Sequence, residues 1–231
     1  MKRKTPTPAQ NRAKEKRWLT SDDPEALLAG FVDATGTRKL RLFSCACCRR
    51  AWKFAKDGRL LSLLRTLENA AEGKVKDRSR EVARNHSYAV ARAEIGDMQQ
   101  CLAFEIWAAL DNEIDLDVGE CAAAAFGYVK GSGQRFERGK AAERKEQANV
   151  VREIFGNPFR PVAFNPAWRT SDAMLLASGI YDERAFDRMP ILADAMQEAG
   201  CDSDALLKHC RDPHATHVRG CWALDLVLGK Q

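Results

Sequence analysis

Residues 39–56 read KLRLFSCACCRRAWKFAK, and the pattern of this stretch sets our expectation for the whole chain of 231 residues. At about 100° per residue, five of its apolar side chains fall within an arc of about 80° on one helix face. They are Leu40, Phe43, Cys47, Ala51 and Phe54. Neither Gly nor Pro interrupts the stretch before Gly58. We therefore expect one amphipathic helix that buries this face.

Helical spacing of apolar residues continues on both sides of this stretch. Asp23 followed by Pro24 is typical of a helix start, and residues 59–71 and 75–97 carry apolar stripes at i, i+3 and i+4. No segment shows the sustained alternation that indicates a strand. Hydrophobic residues make up 45% of the chain, enough for a core. The sequence predicts an all-α, multi-helix globular domain.

The chain divides into four segments by composition. Residues 1–17 are basic, contain two prolines and lack apolar periodicity, so we expect a disordered basic N-terminal arm. Residues 18–155 form an N-terminal helical part. Residues 156–170 hold three prolines and predict an extended connector. Residues 171–231 form a C-terminal helical part, which we expect to pack on the same core.

Positive charge is concentrated in two places. The formal net charge is +5, but residues 1–17 carry +6 and residues 38–65 carry +8, which leaves −9 for the rest. A basic helix indicates contact with nucleic acid or another anion, although the acidic remainder argues against a broad footprint. The candidate contacts are Arg41, Arg49, Arg50, Lys53 and Lys56.

Several function classes are disfavoured by composition. No apolar run approaches the roughly 18 residues of a membrane span, and no apolar segment follows the N-terminal charges. We therefore expect a cytoplasmic protein with no membrane partner. Eight cysteines in that compartment indicate reduced thiols or metal ligands rather than disulfides.

Two pairs of ligand-type residues suggest a metal site. Cys45 and Cys48 are three residues apart on the second predicted helix, and His217 and Cys221 are four apart at the start of the last one. Together they would form a Cys₃His set, typical of structural zinc. The nearby His209 and Cys210 are substitutes. Two alternatives stay open: the cysteines pack as small apolar residues, or neighbouring cations such as Arg49 lower the pKa of Cys45 for thiol chemistry.

Four blocks of the sequence are recognisable as motifs. They are CACCRR at 45–50, IFGNPFRP at 154–161, YDERAFDRMPILADA at 181–195 and HVRGCW at 217–222. The chain resembles an uncharacterised planctomycete paralogous family, bacterial proteins that occur in many copies per genome. The resemblance covers about residues 18–60 and 150–231. It implies a shared core or a shared site and no particular activity.

Three functions compete at this point. The first is a non-enzymatic helical binding or adaptor module with a protein partner and a structural zinc site, since a core is visible and a catalytic constellation is not. The second is a nucleic-acid-binding protein that uses residues 38–65. The third is a thiol-dependent enzyme centred on Cys45 and Cys48.

Overall fold

The computed structural model describes residues 7–29, 37–55, 57–93, 96–111 and 119–230. Within these ranges the chain forms α-helices and short 3-10 turns but no strand, so the all-α prediction is confirmed. None of these helices is both long and apolar enough to cross a membrane. The helices are α1 (Pro8–Thr20), α2 (Pro24–Leu28), α3 (Thr37–Ala55), α4 (Gly58–Ala71), α5 (Asp77–Ala91), α6 (Asp97–Ala109), α7 (Glu120–Lys130), α8 (Gln134–Phe155), α9 (Ser171–Glu183), α10 (Met189–Glu198), α11 (Asp204–Arg211) and α12 (Trp222–Leu228).

Part of the segment that we expected to be a disordered arm is helical. Helix α1 begins after Thr7, whose side chain accepts a hydrogen bond from the backbone of Gln10, while the Gln10 side chain accepts one from the backbone of Thr7. This capping box satisfies two N–H groups that a helix start otherwise leaves without partners. Glu15 then pairs with Arg160 at 2.5 Å, and Trp18 is buried. Residues 1–6 lie outside the described residues.

Helix α3 lies at the centre of the N-terminal part. It packs against α4, α6, α7 and α8, so residues 40–48 are buried on every side of the helix. Cys45 and Cys48, which lie outside or at the edge of the arc of five apolar residues, are only 3% and 1% exposed. Phe54, expected in the core, is 37% exposed and rests edge-on against Phe126. The prediction for Phe54 is wrong because the packing around α3 ends before its last turn.

Among the described residues, buried apolar side chains form two clusters, whereas we expected the C-terminal part to pack on the same core. The N-terminal cluster draws on residues from Trp18 to Ile154, and the C-terminal cluster draws on residues from Trp168 to Val227. Helices α9 to α12 supply most of the second cluster, and α12 also reaches α8. Residues 156–170 connect the two clusters with only a 3-10 turn at Pro166–Trp168, in the place expected for an extended connector.

Charged side chains join the two clusters. Arg38 on α3 donates to both carboxylate oxygens of Asp225 on α12, at 2.7 and 3.0 Å, and to the Tyr181 hydroxyl at 2.9 Å. Glu72 accepts from Arg38 at 3.3 Å and pairs with Lys230 near the end of the chain. We call these five residues the seam network. Asp225 is almost fully buried, so its negative charge depends on Arg38 for compensation.

Removing one partner of this network should be costly. We expect Arg38→Ala to lower the free energy of unfolding by about 3 kcal/mol, because it leaves Asp225 buried without its bidentate partner. Urea denaturation of the variant and the wild type measures the difference. Arg59→Ala is the matched control, since the Arg59–Asp57 pair lies at the surface and its loss should leave stability unchanged. Equal stability of the two variants would show that the seam network does not hold the clusters together.

Candidate metal centre

Four ligand-type side chains from three segments converge beside the seam between the clusters. Glu153 lies near the end of α8, His209 lies on α11, and His217 and Cys221 lie in the segment that leads into α12. One ligand atom from each residue lies within 4.8 Å of the others. These four residues can therefore hold a metal ion, and we call them the candidate metal centre.

The contacts within the centre are short. His217 Nδ1 lies 2.9 Å from one oxygen of Glu153, and His209 Nε2 lies 3.4 Å from the other. His209 Nε2 also lies 3.3 Å from the sulfur of Cys221. The side chains of Glu153, His217 and His209 are 7%, 6% and 17% exposed, and Cys221 is fully buried. The centre is thus compact and almost shielded from solvent.

A tight turn brings His217 and Cys221 together. The N–H of Cys221 donates to the carbonyl of Val218 at 3.0 Å, and Gly220 adopts a φ of +92° at the third position of this turn. A glycine meets that requirement without strain. A Cβ on Gly220 would also lie 2.9 Å from the Leu42 side chain of α3. The turn therefore fits closely against α3 only because residue 220 has no side chain.

A second glycine shapes the other side of the centre. Gly156 ends α8 with a φ of +67°, three residues after Glu153. A Cβ at this position would lie 3.1 Å from the Trp222 ring, so the indole packs directly over the end of α8. The Trp222 indole also contacts His209, whose ring centroid lies 4.8 Å from that of the indole. Trp222 thereby holds the His209 imidazole in place.

Half of the sequence-predicted zinc set lies in this centre. His217, Cys221 and the substitute His209 come together, whereas Cys45, Cys48 and the other substitute, Cys210, are not members of the group. Cys45 and Cys48 face the packed surroundings of α3, and Cys210 belongs to the C-terminal cluster. The Cys₃His set as we expected it is therefore corrected to one cysteine, two histidines and one glutamate.

The reason for pairing His217 with Cys221 also needs correction. We expected both residues on one face of the last helix, but α12 begins only at Trp222, and His217 precedes the turn. Proximity comes from the turn rather than from helical spacing.

Glu153 is the residue that sequence reasoning missed. It lies in a charged helix among several acidic residues, and its one distinguishing signal is that its neighbours Val151 and Ile154 are apolar. Burial alone would raise the pKa of Glu153, but hydrogen bonds and charge from His209 and His217 hold it below its usual value. The carboxylate is thus kept ionised inside the protein, which suits a metal ligand.

The thiols do not have the properties of nucleophiles. Burial, followed by the charge of Glu68, raises the pKa of Cys45 well above its usual value, and burial does the same for Cys48. The charge of Arg49 does lower the pKa of Cys45, as expected, but burial outweighs this effect. The Arg49 guanidinium also donates to the buried carboxylate of Glu68. A thiol with a raised pKa and no solvent access is a poor nucleophile.

The predicted anion contacts are mostly engaged within the protein. Arg41 is buried and donates to the carbonyls of Ala109 and Asp111, at 3.1 and 2.7 Å. Arg49 pairs with Glu68 and Arg50 pairs with Glu143. Lys53 is exposed, and Lys56 lies outside the described residues. Nucleic-acid binding stays a prediction that these arginines do not support.

Thiol labelling can check this arrangement. We expect iodoacetamide at about pH 7.5 to modify the half-buried Cys101 and Cys121 of the native protein before the six buried cysteines. Peptide mass spectrometry after short exposures identifies the modified residues, and labelling in urea serves as the control for full reaction. Early modification of Cys45 or Cys48 would contradict the buried environment described above and would favour a thiol enzyme.

Comparisons with known proteins leave the geometry as the sole basis for a functional argument. No protein-family description, curated protein or solved structure matches this chain.

Proposed function

We propose that this protein is a non-enzymatic helical binding module whose C-terminal part is fixed in place by one structural zinc ion. The observation that carries the proposal is the convergence of Glu153, His209, His217 and Cys221 within 4.8 Å. Four protein ligands fill a tetrahedral coordination sphere, which is typical of structural rather than catalytic zinc. The ion would join α8 to α11 and to the segment before α12.

Charge balance favours a divalent ion at this centre. Cys221 and Glu153 would contribute two negative charges when both are ionised, and two neutral imidazoles would add none. A divalent cation cancels these charges, so no net charge would be left in the protein interior. Burial and the Glu153 carboxylate raise the pKa of the metal-free Cys221 thiol. A coordinating thiol is deprotonated when the metal binds, and its proton is released to solvent, so metal binding itself would generate the thiolate.

The donor types favour zinc over calcium, magnesium and copper. Calcium and magnesium prefer oxygen ligands, whereas this centre offers two nitrogens and one sulfur. Blue-copper sites also use two histidines and one cysteine, but their remaining ligand is weak and distant. Here the Glu153 carboxylate lies 2.9 and 3.4 Å from the two imidazoles, which gives it the position of a full ligand. Zinc accepts this mixture in a tetrahedral arrangement.

Metal removal tests the proposal. Untagged protein should contain one zinc ion per chain by elemental mass spectrometry. Stripping the ion with a chelator should lower the free energy of unfolding, and restoring zinc at about a thousand times its Kd should return about 4 kcal/mol. We expect Cys221→Ser and His217→Ala to retain substoichiometric zinc and to respond weakly to added zinc.

His214→Ala is the matched control for these variants. His214 is exposed in the same segment and is not a member of the candidate metal centre, so this variant should keep full zinc content and stability. The proposal fails if purified wild-type protein has equal stability with and without zinc. It also fails if His214→Ala loses as much zinc as His217→Ala.

A further inference from the structure

A second feature is a cavity that Trp222 lines together with residues of α3, α8 and the segment after α8. Its volume is about 310 Å³, at the lower end of the range for small-molecule sites. Phe155, Pro158, Pro161 and Trp222 provide apolar walls, and Lys39 of α3 lines the same space. The IFGNPFRP block singled out in the sequence thus forms one side of a cavity.

Most charged groups that line the cavity already form ion pairs within the protein. Arg160 pairs with Glu15 at 2.5 Å, and Asp225 and Lys230 belong to the seam network. Lys39 is different: within the described part of the chain, its ammonium has no hydrogen bond or ion pair. Its Nζ lies over the Phe155 ring, 5.7 Å from the ring centroid. Burial lowers the pKa of Lys39, and this effect exceeds the opposing attraction of the Asp225 carboxylate, which is already bonded to Arg38.

Packing and proline geometry restrict the apolar walls. Trp222 packs against the end of α8 and against the His209 ring, and the two prolines have restricted backbones. Because such side chains are already ordered before a ligand binds, binding would cost less conformational entropy than at a flexible site. A flat group placed against the indole would bury apolar area, and an anionic group could reach the Lys39 ammonium.

We propose that this cavity binds a small anion with a flat apolar body, such as an aromatic carboxylate or an aryl phosphate monoester. Lys39 would be the counter-ion of the anionic group, and Trp222 and Phe155 would contact the flat body. This site is separate from the candidate metal centre, although Trp222 contributes to both. None of the four residues of the candidate metal centre lines the cavity, so the proposal is tested independently of the metal.

Calorimetric titration with defined probes tests the proposal. The probes are 2-naphthoate and 2-naphthyl phosphate, with neutral 2-naphthamide and inorganic phosphate as comparisons, all added to wild-type protein of known zinc content. We expect both naphthyl anions to bind one per chain, and both comparison compounds to bind at least about tenfold more weakly. The stronger of the two anions identifies the carboxylate or phosphate preference.

Variants then connect binding to the cavity. We expect Lys39→Gln to weaken 2-naphthoate binding at least about tenfold, the equivalent of losing one charge-assisted contact. Val162→Trp, which fills the cavity while leaving Lys39 in place, should have the same effect. Lys74→Gln, at an exposed lysine outside the cavity, should bind like the wild type.

Three results would overturn the proposal. One is the absence of saturable binding of either naphthyl anion up to about 5 mM, the concentration range of very weak ligands. Another is equal affinity of the wild type and Lys39→Gln. The third is equal affinity for 2-naphthoate and 2-naphthamide, which would show that the anionic group contributes nothing.

Discussion

The negative charge of a carboxylate buried between two apolar clusters needs a partner of opposite charge or a hydrogen-bond donor. Glu153 is such a carboxylate, and the placement of the segments that carry His209 and His217 depends on it. Its oxygens contact His217 and His209 from two different segments, so the position of each segment is tied to α8. Asp225 is a second buried carboxylate, and the guanidinium of Arg38 on α3 balances its negative charge. Because unpaired charges inside a protein are strongly unfavourable, these contacts select one relative placement of the two clusters. Contacts between apolar surfaces alone are not directional, so they would define the relative placement of the two clusters less precisely.

Much of the fold could be predicted because helix starts and apolar periodicity are local signals. The start at Pro24 with Asp23 as its cap, and the helix through residues 39–55, follow from side-chain chemistry within a few residues. Periodicity indicates which face of a helix is apolar but does not say what covers it. For that reason the complete burial of Cys45, the exposure of Phe54 and the division into two clusters could not be anticipated. Each of them depends on neighbours that are distant in sequence.

The candidate metal centre was only half predictable. His217 and Cys221 are rare residue types at close spacing, and their pairing was expected, although the structure achieves it with the turn at Gly220 instead of a helix. Glu153 resembles other acidic residues of α8, such as Glu143 and Glu146, until the tertiary structure places it beside two imidazoles. Conversely, Cys45 and Cys48 have a spacing suited to a metal but lie inside the packing of α3. Spacing identifies candidate ligands, whereas tertiary contacts decide which of them meet.

The central claim is that one particular set of four side chains binds the ion, and X-ray absorption spectroscopy at the zinc edge tests it most directly. The account predicts a shell of one sulfur at about 2.3 Å and three nitrogen or oxygen atoms at about 2.0–2.1 Å. The Cys221→Ser variant loaded with excess zinc should lose the sulfur scatterer. Two or three sulfurs in the wild-type shell would instead indicate a site built on other cysteines and would contradict the account. So would a shell without sulfur.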